Sequence, residues 1–109
     1  VKRLTISFLP LTDAAPFLVA QAKGLFQQHG IEATLRREIS WTALRDALNH
    51  GTSQVAQMLF GMPAASACGL LGDNQKALVV PWVLSRNGQA ITLGNRHRGT
   101  VAGDAHALL

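Results

Sequence analysis

The sequence contains one cysteine, Cys68, so it can form no disulfide within the chain and no cysteine-based metal site. Cys68 stands in Ala64-Ala65-Ser66-Ala67-Cys68-Gly69, where a small buried thiol is the plain expectation. Tyrosine is absent, and the four phenylalanines and two tryptophans fall mostly inside apolar segments, which argues against a base-stacking platform. Acidic residues are few, six against ten lysines and arginines, for a net charge of +4. That surplus favours anionic partners in general. The basic residues form no run beyond Lys2-Arg3 and Arg36-Arg37, however, and no nucleic-acid partner is expected. No apolar stretch is long enough to span a bilayer, and no signal-peptide pattern opens the chain. There is no glycine-rich phosphate loop, no G-x-S-x-G around Ser66 and no pair of carboxylates at a telling spacing. His29, His50, His97 and His106 are scattered, with no i, i+4 pair to hold a metal, and read as solvent-exposed. No catalytic constellation and no cofactor are expected from these residues.

What is present is a globular composition, with 48% hydrophobic and 15% charged residues in 109, suited to one domain. The first residue is Val1 rather than Met, so the sequence is expected to start inside a longer chain. Leu4 to Leu9 alternates apolar and polar residues and predicts a strand closed by Pro10. Asp13 is a good N-cap for a helix with Pro16 in its first turn. Ala15, Leu18, Val19 and Ala22 mark that helix's buried face, and Gly24 ends or bends it. Residues 31 to 39 predict a second strand with Ala33, Leu35, Arg37 and Ile39 on one face. A short helix follows from Ser40 or Trp41, with Leu44, Ala47 and Leu48 towards the core and Gly51 as its stop. Gln54 to Phe60 predicts a third strand and Met62 to Leu71 a tightly packed helix. Ala77 to Leu84 is apolar and β-rich, and Gln89 to Leu93 predicts a further strand after the Asn87-Gly88 turn.

Strands alternating with helices imply an α/β fold with a mostly parallel sheet flanked by helices. Ligands of such sheets bind outside the carboxyl ends of the strands, which directs attention to Leu11-Thr12-Asp13 and Ser40-Trp41-Thr42. A helix start presents free backbone N–H groups and a partial positive charge, and so can hold an anion. Thr42 adds a hydroxyl, and the Trp41 indole is a donor that cannot oppose an anion as an acceptor. By position alone, a capping Ser40 and a core Trp41 account for the same residues. Gln89 offers an amide donor, although on spacing alone it is an ordinary exposed glutamine. A carboxylate would repel an anion, so Asp13 is read as a helix cap.

Leu11-Thr12-Asp13-Ala14-Ala15-Pro16, Lys23-Gly24-Leu25-Phe26, Ser40-Trp41 with Arg45-Asp46, Met58-Leu59 with Met62-Pro63, and Asn87-Gly88-Gln89-Ala90-Ile91-Thr92 together resemble the nitrate- and bicarbonate-binding proteins of bacterial ABC transporters. They also resemble the related cytoplasmic nitrate sensors. The resemblance runs from about Leu4 to Leu93. It implies a two-lobed periplasmic-binding-protein fold of the second type, with residues 1–93 the first part of lobe one and 94–109 a loop or partly ordered tail. It implies that Trp41, Thr42 and Gln89 contact a small inorganic anion (nitrate first, nitrite or bicarbonate next). The family's lysine countercharge comes from later in its sequence and matches no residue here, so the 109 residues alone are expected to bind nitrate weakly or not at all. The partner implied is an ABC permease subunit, or a regulatory protein if the chain is a sensor. The location implied is periplasmic or membrane-tethered, or cytoplasmic for a sensor. A related group of the same fold makes a thiamin pyrimidine precursor enzymatically. That chemistry needs a lysine and histidine placed around a pyridoxal-type cofactor, a cluster this sequence does not show.

Overall fold

The structure is a computed structural model, described over residues 1–72, 78–86 and 94–97. β1 (Lys2–Phe8) leads through a single 3-10 turn, Thr12–Ala14, into α1 (Ala15–Ala22) and the one-turn α2 (Leu25–Gln28). Gly24 separates the two helices at φ 65°, a left-handed value that glycine adopts without a Cβ penalty. β2 (Ile31–Arg37), α3 (Trp41–Asn49), β3 (Val55–Ala56) and α4 (Gly61–Ala67) follow. The sheet has three strands in the order β2-β1-β3. Both pairings are parallel, with Lys2 opposite Ile31, Phe8 opposite Arg37 and Ile6 opposite Val55. The α/β class and the helix-flanked parallel sheet expected from the sequence are therefore present.

The register sorts the two faces. Leu4, Ile6 and Phe8 share one with Ala33 and Leu35, while Arg3, Thr5 and Ser7 share the other with Glu32, Thr34 and Arg36. The chain leaves β1 towards one side of the sheet and returns across it to reach β3. Right-handed crossovers in opposite directions put α1 and α3 on opposite faces. The buried apolar residues are Ile6, Phe8, Leu9, Ala14, Leu44 and Ala47. α3 rests on β1 and β3 and supplies two of them. The Ser40 hydroxyl accepts the Ala43 N–H at 3.0 Å and caps this helix. Ser40→Ala should lower stability by about 1 kcal/mol, measured as a shift in urea midpoint at unchanged slope.

Several expectations are corrected. Asp13 does not cap α1: it lies inside the 3-10 turn, and neither that turn nor α1 has a side-chain cap. The chain enters α1 from αR geometry at Ala14, which leaves no extended residue whose side chain could fold back onto the first turn. The apolar face of α1 is not buried, with Leu18 and Val19 about half exposed, because α1 touches chiefly α2, the 3-10 turn and the edge strand β2. Ile39 is exposed since β2 ends at Arg37. The third strand contracts to two paired residues. Cys68 is exposed: α4 buries Ser66, and two residues further on is roughly 200° around the helix. Residues 78–84 form no ladder, and Val79, Trp82 and Val83 are exposed. Pro81 interrupts that run and has no N–H to donate. The predicted strand Gln89–Leu93 and its Asn87-Gly88 turn lie outside the described residues.

Candidate anion site at the carboxyl edge of the sheet

Three backbone ends meet at the carboxyl edge. The Glu38 N–H donates to the Phe8 carbonyl at 2.8 Å. On the other side of β1, the Leu9 N–H donates to Gln57 Oε1 at 3.0 Å. The dipeptide Phe8-Leu9 is thus held between the loop that starts α3 and the segment that leaves β3. With strand order β2-β1-β3, the chain crosses from β1 to β2 in one direction and from β2 back past β1 to β3 in the other. Ligands of such parallel sheets bind outside the carboxyl ends of the strands.

α3 begins at this edge. Its capping hydroxyl takes only the Ala43 N–H. The Trp41 and Thr42 N–H groups therefore keep their donors and the helix start keeps its partial positive charge. Trp41 is the first helical residue and half-buried; Thr42 is exposed. These two predicted residues are adjacent at the expected place. Gln89, the third, lies outside the described residues.

Beneath the edge runs a hydrogen-bonded chain that the sequence did not reveal. The Ser7 hydroxyl, fully buried, donates to Glu38 Oε1 at 2.9 Å. Since a carboxylate only accepts, the close Ser7–Ser53 contact has Ser53 as its donor. Arg36 donates to the same Glu38 oxygen. The Arg36 hydrogen bond holds the Glu38 carboxyl below its ordinary 4.5, with burial opposing and the Ser7 hydrogen bond reinforcing it. Arg36 is neutralised in this way, whereas Arg37, exposed at the last position of β2, makes no ion pair among the described residues. The edge therefore retains an uncompensated cation, which sequence reading saw only as half of an Arg-Arg doublet.

Gln57 is the second residue that sequence reading missed. It is 1% exposed, and its Nε2 is buried with no hydrogen-bond partner among the described residues. A buried donor left unpaired costs about 1–3 kcal/mol. An open depression of about 320 Å³ lined by Arg3, Leu4, Thr5, Glu32, Thr34 and Gln54 lies along the amino half of the strands. Its two opposite charges, Arg3 and Glu32, already pair with each other at 2.9 Å, so it offers no net attraction to an ion.

Comparison with known proteins gives the lineage. The NMT1-like family matches residues 1–108. This chain belongs to the NMT1-like family. It is 45% identical over 94 residues to the nitrate import ATP-binding protein NrtC of Synechocystis sp., covering 85% of this chain and 14% of that protein. It is 41% identical over 91 residues to the bicarbonate transport ATP-binding protein CmpC of Synechococcus elongatus, covering 83% of this chain and 14% of that protein. It is 37% identical over 103 residues to the nitrate/nitrite binding protein NrtA of Synechococcus elongatus, covering 87% of this chain and 23% of that protein. The chain thus spans a minor part of each relative's length. No solved structure matches it. The α/β fold, with helices on a parallel sheet, is consistent with the periplasmic-binding-protein-like fold expected of the family.

Proposed function

We propose that this chain forms part of a small-oxyanion-binding site, with nitrate the first ligand, in the substrate-binding component of an ABC importer. The observation that carries this is the start of α3 at the carboxyl edge, where Trp41 and Thr42 present donors at the same edge as Arg37, which makes no ion pair among the described residues. Nitrate or bicarbonate occurs in the name of each relative cited above, while ATP binding belongs to only some of those names. This sequence has no glycine-rich phosphate loop, so the anion is what the shared segment accounts for best. Bicarbonate is the second ligand, favoured by the transport protein of that name.

Trp41 would wall a flat anion and donate its indole N–H; Thr42 would donate from its backbone and hydroxyl; Gln89 would add an amide donor. No reaction is assigned to these residues. Each loop at this edge also carries an exposed large apolar residue: Leu11 at 47%, Ile39 at 94% and Phe60 at 85%. Such a rim suits a second lobe that closes over the anion and excludes water, which strengthens each donor's interaction. The protein would then act in the periplasm or tethered to the membrane, presenting the loaded anion to a permease.

Titration of the full-length protein with nitrate, nitrite and bicarbonate, followed by tryptophan fluorescence and calorimetry, tests this. Trp41→Ala and Gln89→Ala should each weaken nitrate binding by about tenfold or more. A wild-type protein that binds none of the three anions would sink the proposal, as would two variants with undiminished affinity.

A further inference from the structure

We infer that Gln57 is a further contact residue for the bound oxyanion, donating from Nε2 while its Oε1 holds the first βα loop in place. This rests on the oxyanion reading above and goes beyond the residues assigned there.

The orientation of the amide is fixed by chemistry. Its Oε1 accepts the Leu9 N–H at 3.0 Å; flipping the amide would set an NH₂ group against that N–H, donor against donor. The Gln57 backbone N–H is already used, donating to the Ser7 carbonyl at 3.0 Å. Nε2 is therefore the unused end of the amide, buried and without an acceptor among the described residues. Gln57 directly follows β3 and reaches the residue just past the end of β1, at the carboxyl edge outside which parallel sheets bind ligands. The start of α3 stands at the same edge, tied by Glu38 to Phe8, the residue before Leu9.

The acceptor that Nε2 lacks is what an oxyanion oxygen would supply. Nε2 is sealed from solvent, so contact with the anion requires the Gln57 side chain or its neighbours to shift. Water does not compete for the site beforehand. A neutral amide also suits a monovalent anion, because it adds a donor without a charge to desolvate.

The test uses Gln57→Glu in the full-length protein, titrated calorimetrically with nitrate at about pH 8 and about pH 5. The carboxylate keeps the acceptor for Leu9 N–H and replaces the donor by a charged acceptor. Burial raises a carboxyl pKa, so the group is neutral, and again a donor, at the lower pH. Nitrate itself does not titrate in this range. The expected result is a Kd at least about tenfold weaker at the higher pH, recovering to within about threefold of wild type at the lower. Wild-type affinity should change little between the two.

A variant Kd equal to wild type at both pH values, with wild type binding nitrate, overturns the role of Gln57 and leaves the oxyanion reading standing. A wild type that binds no oxyanion overturns both. If the variant does not fold, the side-chain amide resonances of Gln57 in labelled wild-type protein decide. A shift that saturates with nitrate supports the contact, and unmoved resonances overturn it.

Discussion

Leu44→Ala is expected to lower the free energy of unfolding by about 2–5 kcal/mol. Leu44 is 0% exposed, and with Ala47 it forms the buried face of α3. That face seats the helix on β1 and β3. The buried apolar set of the described residues is small, so one truncation removes a large share of it. Domains of this size are stable by only about 5–15 kcal/mol, so the loss could leave the variant barely folded. Urea denaturation followed by circular dichroism measures it; a loss below about 1 kcal/mol would mean that α3 is not seated as described. The same substitution loosens the helix whose first turn carries Trp41 and Thr42, so anion affinity should fall along with stability.

Glu38→Ala is expected to cost about 1–3 kcal/mol at neutral pH, and the cost should shrink in acid. The substitution strips the acceptor from the buried Ser7 hydroxyl, to which Ser53 is bonded, and leaves Arg36 without its ion-pair partner. The pH dependence follows from the direction of the shift. The folded carboxyl is held below its ordinary 4.5, mainly by the Arg36 hydrogen bond. Its contribution is therefore fully present above the unfolded value and is lost as pH falls through the folded one. Wild type and variant should draw together only as pH falls through the folded value, which lies under 4.5, so that the carboxyl is protonated in both states of the wild type. Denaturant midpoints measured at several pH values check this, and a difference independent of pH would refute it. Loss of the network should also shift the loop that leads into α3, since Glu38 lies two residues before the capping Ser40.

Features with a local cause were legible in the sequence. Ser40 caps α3 because a short hydroxyl followed by three helix-compatible residues satisfies the N–H of the third, wherever that helix sits. Gly24 and Gly30 adopt positive φ where glycine was placed to break the first helix and make the turn into β2. The strand pattern of Leu4 to Leu9 and that of residues 31 to 39, with a helix between them, implied the parallel pairing.

What failed depended on neighbours far away in sequence. The apolar spacing of Ala15, Leu18, Val19 and Ala22 is that of a buried helix face, yet periodicity states only which residues share a face, not what covers it. Residues 78–84 have β-rich composition, but a strand needs a partner edge, and Pro81 removes a donor from any such ladder. Gln57 read as one polar position within the predicted strand from Gln54 to Phe60. Its importance comes from a bond to Leu9 across 48 positions, which no local pattern encodes.

The anion site divides along the same line. The sequence by itself determined an α/β chain with a donor-rich helix start at Ser40-Trp41-Thr42, because capping and amphipathic spacing are short-range properties of the chain. Only the tertiary structure decided that β1 lies between β2 and β3. It alone also decided that Glu38 neutralises Arg36 while Arg37 makes no ion pair among the described residues, and that Gln57 turns its amide oxygen towards Leu9 and leaves Nε2 without an acceptor among them. These are contacts between distant segments, fixed by strand register and burial, and their energies do not exist until the sheet has formed.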